Sequence, residues 1–69
     1  MIEKMYRGRG IYSGTGQDSW ITKSWKTTKE QALSDIDNMS HAYTNARVIE
    51  EDVQDYIKKN QRIPHIEDW

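Results

Sequence analysis

The chain has 69 residues, enough for one small domain that buries only about 60% of the surface its unfolded form exposes. It contains no cysteine, which excludes disulfides and thiolate metal sites, and no apolar run long enough for a membrane span or a signal peptide. Mean hydropathy is −1.02 and net charge −1, so the core must come from few, large groups: three Trp and four Tyr, with no Phe.

Residues 2–26 read as a β-hairpin. In IEKMYRGRGIY, Tyr6, Gly8, Gly10 and Tyr12 fall on one face, and Met5, Arg7, Arg9 and Ile11 on the other. Two glycines on one face predict that something large lies across them, such as a ring from a neighbouring strand. Ser13–Asp18 is a turn by composition, with Gly14 and Gly16 free to take positive φ. Residues 19–26, SWITKSWK, alternate Trp20, Thr22 and Ser24 against Ile21, Lys23 and Trp25, and form the returning strand.

Residues 28–44 read as one long amphipathic helix. Ala32, Ile36, Met39 and Tyr43 recur at helical spacing and Leu33 widens the stripe, which leaves Lys29, Asp35, Asn38 and His41 toward water. Thr27 with Glu30, or Thr28 with Gln31, supplies a capping box. The apolar surface at hand for this helix is the tryptophan-bearing hairpin, with Trp25 against Ile36 and Met39.

Residues 46–60 admit two readings. Ile49, Val53, Tyr56 and Ile57 fit a single second helix; adjacent Val48 and Ile49 instead favour a short third strand, Arg47–Glu50, before a helix. In the second reading Asp52 is the cap, Asp55 lies in the first turn, and Lys58 and Lys59 lie in the last. The second reading is preferred. The tail 61–69 carries Ile63, Pro64, Ile66 and Trp69, more apolar surface than a solvated tail needs, so it docks on the core or on a partner. The fold class expected is therefore α+β, in a single small domain.

Charge is unevenly laid out. Residues 1–29 carry a balance of +4 and residues 30–69 a balance of −5. Such asymmetry bears on partners and not on fold. Arg7-Gly8-Arg9-Gly10, with Lys4, Lys23, Lys26 and Trp20, makes a basic aromatic hairpin whose cations suit phosphates and whose rings suit unpaired bases. Glu50, Glu51, Asp52 and Asp55, with Tyr56, form the densest acidic cluster. That cluster could occupy a basic groove on a partner; as a solvated helix start it would simply complement the macrodipole.

Motifs for chemistry are weak. Ser13-Gly14-Thr15-Gly16 lacks the lysine and the following helix of a phosphate loop. Asp37 and His41 form one i,i+4 pair, too few ligands for a metal site, and Asp35–Asn38 lacks the glycine and closing glutamate of a calcium loop. Neither serine–histidine combination sits in a nucleophile turn. No catalytic residue, cofactor or metal is expected.

Lys26-Thr27-Thr28-Lys29-Glu30-Gln31-Ala32, after a tryptophan-bearing hairpin, resembles the small arm-binding domain at the start of tyrosine recombinases, over residues 5–42 at most. That family reads DNA with a three-stranded sheet. Here the third strand is missing before the helix, and the catalytic domain is missing too, so the resemblance implies a hairpin-to-helix junction and nothing further.

The function expected is that of a small non-enzymatic, cytoplasmic protein that binds a protein partner. Glu50, Glu51, Asp52, Asp55, Tyr56 and Trp69 form its contact. The short chain opening with Met suggests a complete protein, an inhibitor or accessory factor of the phage or mobile-element type. The alternative is a nucleic-acid-binding module that uses Arg7, Arg9, Lys23, Lys26 and Trp20. A core this small also favours homo-oligomerisation.

Overall fold

The computed structural model describes residues 3–67. The order of elements is β1 (Lys4–Tyr12), β2 (Asp18–Trp20), α1 (Lys29–Asn38), β3 (Tyr43–Asp52) and α2 (Val53–Asn60). The three strands form one antiparallel sheet in the order β2-β1-β3. The α+β class and the hairpin agree with expectation, and the third strand exists. It spans ten residues, not a short Arg47–Glu50, and a single helix over residues 46–60 is excluded.

The turn closes with Tyr12 and Gln17 joined by an N–H···O bond of 3.0 Å, and Gly16 takes φ 69° there. The returning strand is shorter than its alternation predicts. After Trp20 opposite Arg9, pairing resumes at Lys26 opposite Tyr6, so β1 advances three residues while the other chain advances six. Ile21 still follows the strand, donating its N–H to the Gly8 carbonyl at 3.0 Å; the excess loops out over Thr22–Ser24, and the Thr22 carbonyl in that loop accepts the Arg7 side chain.

The helix also ends early. Thr28 is the N-cap and Gln31 completes the capping box, each side chain meeting the other's backbone N–H at 3.2 Å. Its last turn carries Asp35 and Asp37 with no basic residue, which opposes the negative end of the macrodipole. Met39 closes the helix, and Tyr43 joins β3 opposite Tyr12, with ring centroids 5.3 Å apart. Residues 28–44 are thus not one helix. Leu33, placed on the apolar stripe by spacing, is 48% exposed, whereas Asp35, placed toward water, lies 3.8 Å from Lys26 Nζ.

α1 and the rings of Trp20 and Trp25 lie on opposite faces of the sheet. A Cβ at Gly8 would stand 2.9 Å from Ile36, so α1 covers the glycine face of β1, and Val48 of β3 lies alongside. The other face carries the core: Met5, Trp25 and Ile66 are buried, with Trp20, Ile49, Val53 and Tyr56 packed against them. Trp25 therefore belongs with Met5 and the tail, not with Ile36 and Met39. What made the expectation fail is alternation itself, because Met5 and Gly8 point to opposite sides. The glycines do mark close approaches, made at Gly8 by the Ile36 side chain of α1 and at Gly10 by Ala46 and the Thr44 carbonyl of β3, and not by a ring.

The tail docks. Trp25 N–H donates to the His65 carbonyl at 2.9 Å and Glu67 N–H to the Trp25 carbonyl at 3.0 Å, a parallel bridge that buries Ile66. Glu67 latches it through Lys26 Nζ at 2.7 Å and Ser24 Oγ at 2.9 Å. Trp69 lies outside the described residues. Among the described residues no helix is long and apolar enough to cross a membrane.

Candidate functional site

On the core face of the sheet, strand alternation sends Arg7 and Arg9 out of β1 beside Met5. Trp20 follows opposite Arg9 in β2, and Trp25 enters from the bridge. The rings of Trp20 and Trp25 lie 5.3 Å apart and those of Trp25 and Tyr56 6.0 Å apart, in tilted and edge-on arrangements that suit aromatic quadrupoles. The Arg7 guanidinium sits 4.6 Å from the Trp20 ring and 5.7 Å from Trp25; Arg9 sits 4.8 Å from Trp20. These are cation–π contacts, each worth about 0.5–1 kcal/mol where solvent reaches them.

Arg7 is held firmly. Its Nε and Nη2 donate to the Thr22 carbonyl at 2.8 and 2.5 Å. Burial, more than the nearby Arg9 charge, pushes its pKa below the ordinary arginine value, although a guanidinium stays charged at neutral pH. A cleft of about 290 Å³ opens over it. Trp25, Tyr56 and Ile63 form the apolar wall, and Lys23, Arg62 and His65 form the rim with Arg7. Lys23, Arg62 and His65 are exposed, and Ile63 is 81% exposed.

Arg9 behaves differently. It shares the Asp18 carboxylate with Arg47, at 2.8 and 3.2 Å. Those two guanidiniums, Arg47 foremost, hold the Asp18 carboxyl below the usual range. One carboxylate between two guanidiniums leaves a net positive charge on this patch.

The residues expected to bind nucleic acid are mostly brought together. Arg7, Arg9 and Trp20 share one face and Lys23 stands on the cleft rim. Lys26 is apart, bound to Glu67 and Asp35 on the α1 side. The acidic residues do not make one face. Glu50 lies opposite Tyr6 and Glu51 opposite Met5, so their side chains leave β3 on opposite sides. Asp52 accepts from the backbone N–H groups of Gln54 and Asp55 at 3.0 and 3.2 Å and lies 3.6 Å from Lys4, and these contacts, Asp55 first, lower its pKa. Asp55 is exposed, and Tyr56 faces the cationic cleft. Trp69, the last residue of that expected contact, lies outside the described residues.

Arg62, His65 and Ile63 belong to the site and were not expected in it. A signal existed: Pro64 and Ile66 alternate with Ile63 and His65, so docking of the first pair turns the second pair outward. Among the described residues no group of three His, Asp or Glu could hold a metal ion. Comparison with protein-family models, curated proteins and solved structures finds no match to this chain.

Proposed function

We propose that the protein is a non-enzymatic binding module whose contact is the cationic aromatic face and whose ligand is single-stranded nucleic acid. The observation that carries this reading is Arg7, whose guanidinium lies 4.6 Å from the Trp20 ring and 5.7 Å from the Trp25 ring in a cleft lined also by Lys23, Arg62 and His65. Rim cations would take phosphates through counterion release, and the Trp25 and Tyr56 rings would take bases. Rings are useful only to bases already free of a duplex stack, which selects single strands. A net charge of −1 does not oppose this, because it is the local field of the cleft that a phosphate meets.

The test is a tryptophan-fluorescence titration with an unstructured oligothymidylate and its oligouridylate counterpart, at low and at physiological salt. Quenching is expected, with the logarithm of the affinity falling linearly in log salt. Lys23→Glu with Arg62→Glu, both exposed, should abolish it while the far-UV spectrum is unchanged. Saturating oligonucleotide that leaves the fluorescence unaltered at low salt would overturn the proposal.

A second reading rests on its own observation. Glu50 and Asp55 are exposed, and among the described residues neither carries an ion pair. They could meet a basic protein partner, as an inhibitor or accessory factor of the phage or mobile-element type would. Glu50→Lys with Asp55→Lys should then abolish partner capture without unfolding the chain.

A further inference from the structure

β3 is the longest strand and lies at the edge of the sheet, with β1 as its only strand neighbour among the described residues. Which of its backbone groups face outward follows from one bond. Val53 N–H donates to the Glu3 carbonyl at 3.0 Å, a pair that continues the Lys4–Asp52 register. Hydrogen-bonded pairs recur every second residue in an antiparallel ladder, so Arg47, Ile49 and Glu51 turn their N–H and C=O groups toward β1. Val48 and Glu50 turn theirs away from the sheet. A row of such groups is a template for another strand.

We propose that a second copy of this chain pairs with that edge, β3 against β3 in antiparallel, about a two-fold axis at Ile49. Val48 of each copy then lies opposite Glu50 of the other, and these are the residues whose backbone groups face outward. On the cationic aromatic face, Arg47 of each copy lies opposite Glu51 of the other, so the axis creates the opposite-charge pair twice. Cross-strand pairs of this kind stabilise a sheet. Sliding by two residues one way sets Glu50 against Glu50, a like-charge clash; sliding the other way sets Val48 against Val48 and loses both ion pairs.

The charges are available for this. Arg47 shares Asp18 with Arg9, so its charge is only partly balanced, and among the described residues Glu51 pairs only with Lys59, at 4.0 Å. The segment is also bounded. A bulge at Asn45, φ 52°, turns the strand at one end, and α2 begins at Val53 at the other. A foreign strand would need the reverse charges at the same spacing, which this chain already carries. The axis stands perpendicular to the sheet, so both clefts open on one side of a continuous sheet. The pairing itself does not rest on the nucleic-acid reading.

Sedimentation equilibrium across a concentration series tests it. The wild-type chain should pass to twice its 8.2 kDa. Glu50→Pro removes an outward N–H, leaves the β1 ladder intact and should give a monomer with an unchanged far-UV spectrum. Arg47→Glu and Glu51→Arg should each be monomeric, since each places like charges opposite one another twice. Mixed, they should form a heterodimer, because every pair is then opposite in sign. A wild-type chain that stays monomeric throughout would overturn the proposal. So would a Glu50→Pro chain that still dimerises, or two charge variants that do not associate when mixed.

Discussion

Gly8 offers a test of the architecture in which the sign of the effect decides. It lies in mid-strand beneath α1, and its φ is not positive, so alanine suits its backbone. Where space is open, Gly→Ala at such a site stabilises by about 0.4–1 kcal/mol by restricting the unfolded chain. Here the new Cβ would stand 2.9 Å from Ile36 Cγ1 and 3.3 Å from Ile21 Cδ1. Carbon contacts are best at about 3.5–4.0 Å. The Ile21 methyl is a side-chain tip and can yield, whereas Ile36 Cγ1 sits close to the helix backbone, so α1 must lift or Ile36 must leave its rotamer. Overpacking of this kind costs about 1–3 kcal/mol and outweighs the entropic gain, for a net loss of roughly 0.5–2 kcal/mol. In a domain of this size each kcal/mol lowers Tm by about 4–8 °C. The assay is thermal unfolding of Gly8→Ala, Ile36→Ala and the double variant. With Ile36 truncated, Gly8→Ala should become neutral or stabilising, and that coupling isolates the contact. If Gly8→Ala stabilises the wild-type chain, or costs the same in both backgrounds, α1 does not lie over β1 as described.

Thr28→Ala removes the α1 cap and should destabilise by about 1 kcal/mol, measured by urea unfolding; Gln31→Ala should cost less, since the Thr28 side chain still accepts from the backbone. Asp52→Ala should likewise cost about 1 kcal/mol, whereas Asp52→Asn keeps the cap acceptor and should cost only a few tenths. Glu67, Asp18 and Asp52 all have lowered folded pKa values, Glu67 chiefly through its bonds from Lys26 and Ser24. A depressed carboxyl binds protons more readily in the unfolded chain, so its contribution is full above the unfolded value, about 4, and is lost as pH falls through the folded value. Stability should therefore drop below about pH 4, and Glu67→Gln should flatten that slope in an acid titration followed by tryptophan fluorescence; an unchanged slope would show that the latch adds nothing.

Local chemistry was legible where it is local. The Thr28–Gln31 box, the Asp52 cap with Asp55 and the lysines of α2, and the split of β1 into a glycine face and an arginine face could all be read from spacing. What spacing could not decide were contests between elements. Tyr43 fits a helical stripe as well as a strand, and it is the ring of Tyr12, far away in the chain, that draws it into β3. The loop at Thr22–Ser24 depends on Arg7 finding the Thr22 carbonyl, a contact between strands with no signature in either segment. The tail's docking was one of two options until Trp25 and Ile66 were seen to bridge.

Net charge alone does not describe the site. A balance of −1 argues against a cationic surface only if acids and bases mix evenly. They do not, because many of the acids have structural occupations. Asp52 caps α2 and meets Lys4, Glu67 latches the tail to Lys26, and Asp35 faces the same lysine. Among the described residues only Asp18 is committed to the arginine patch, and it serves two guanidiniums. Arg7, Lys23 and Arg62, which pair with no carboxylate among the described residues, are gathered around Trp25. The same partition gives β3 its alternation of Arg47 with Glu51 on one side and Glu50 on the other. A surface of one sign thus arises in a nearly neutral chain by assigning the opposite sign to caps and latches, so acid that weakens Asp52 and Glu67 should loosen the frame of the cleft before it alters the cleft's own arginines.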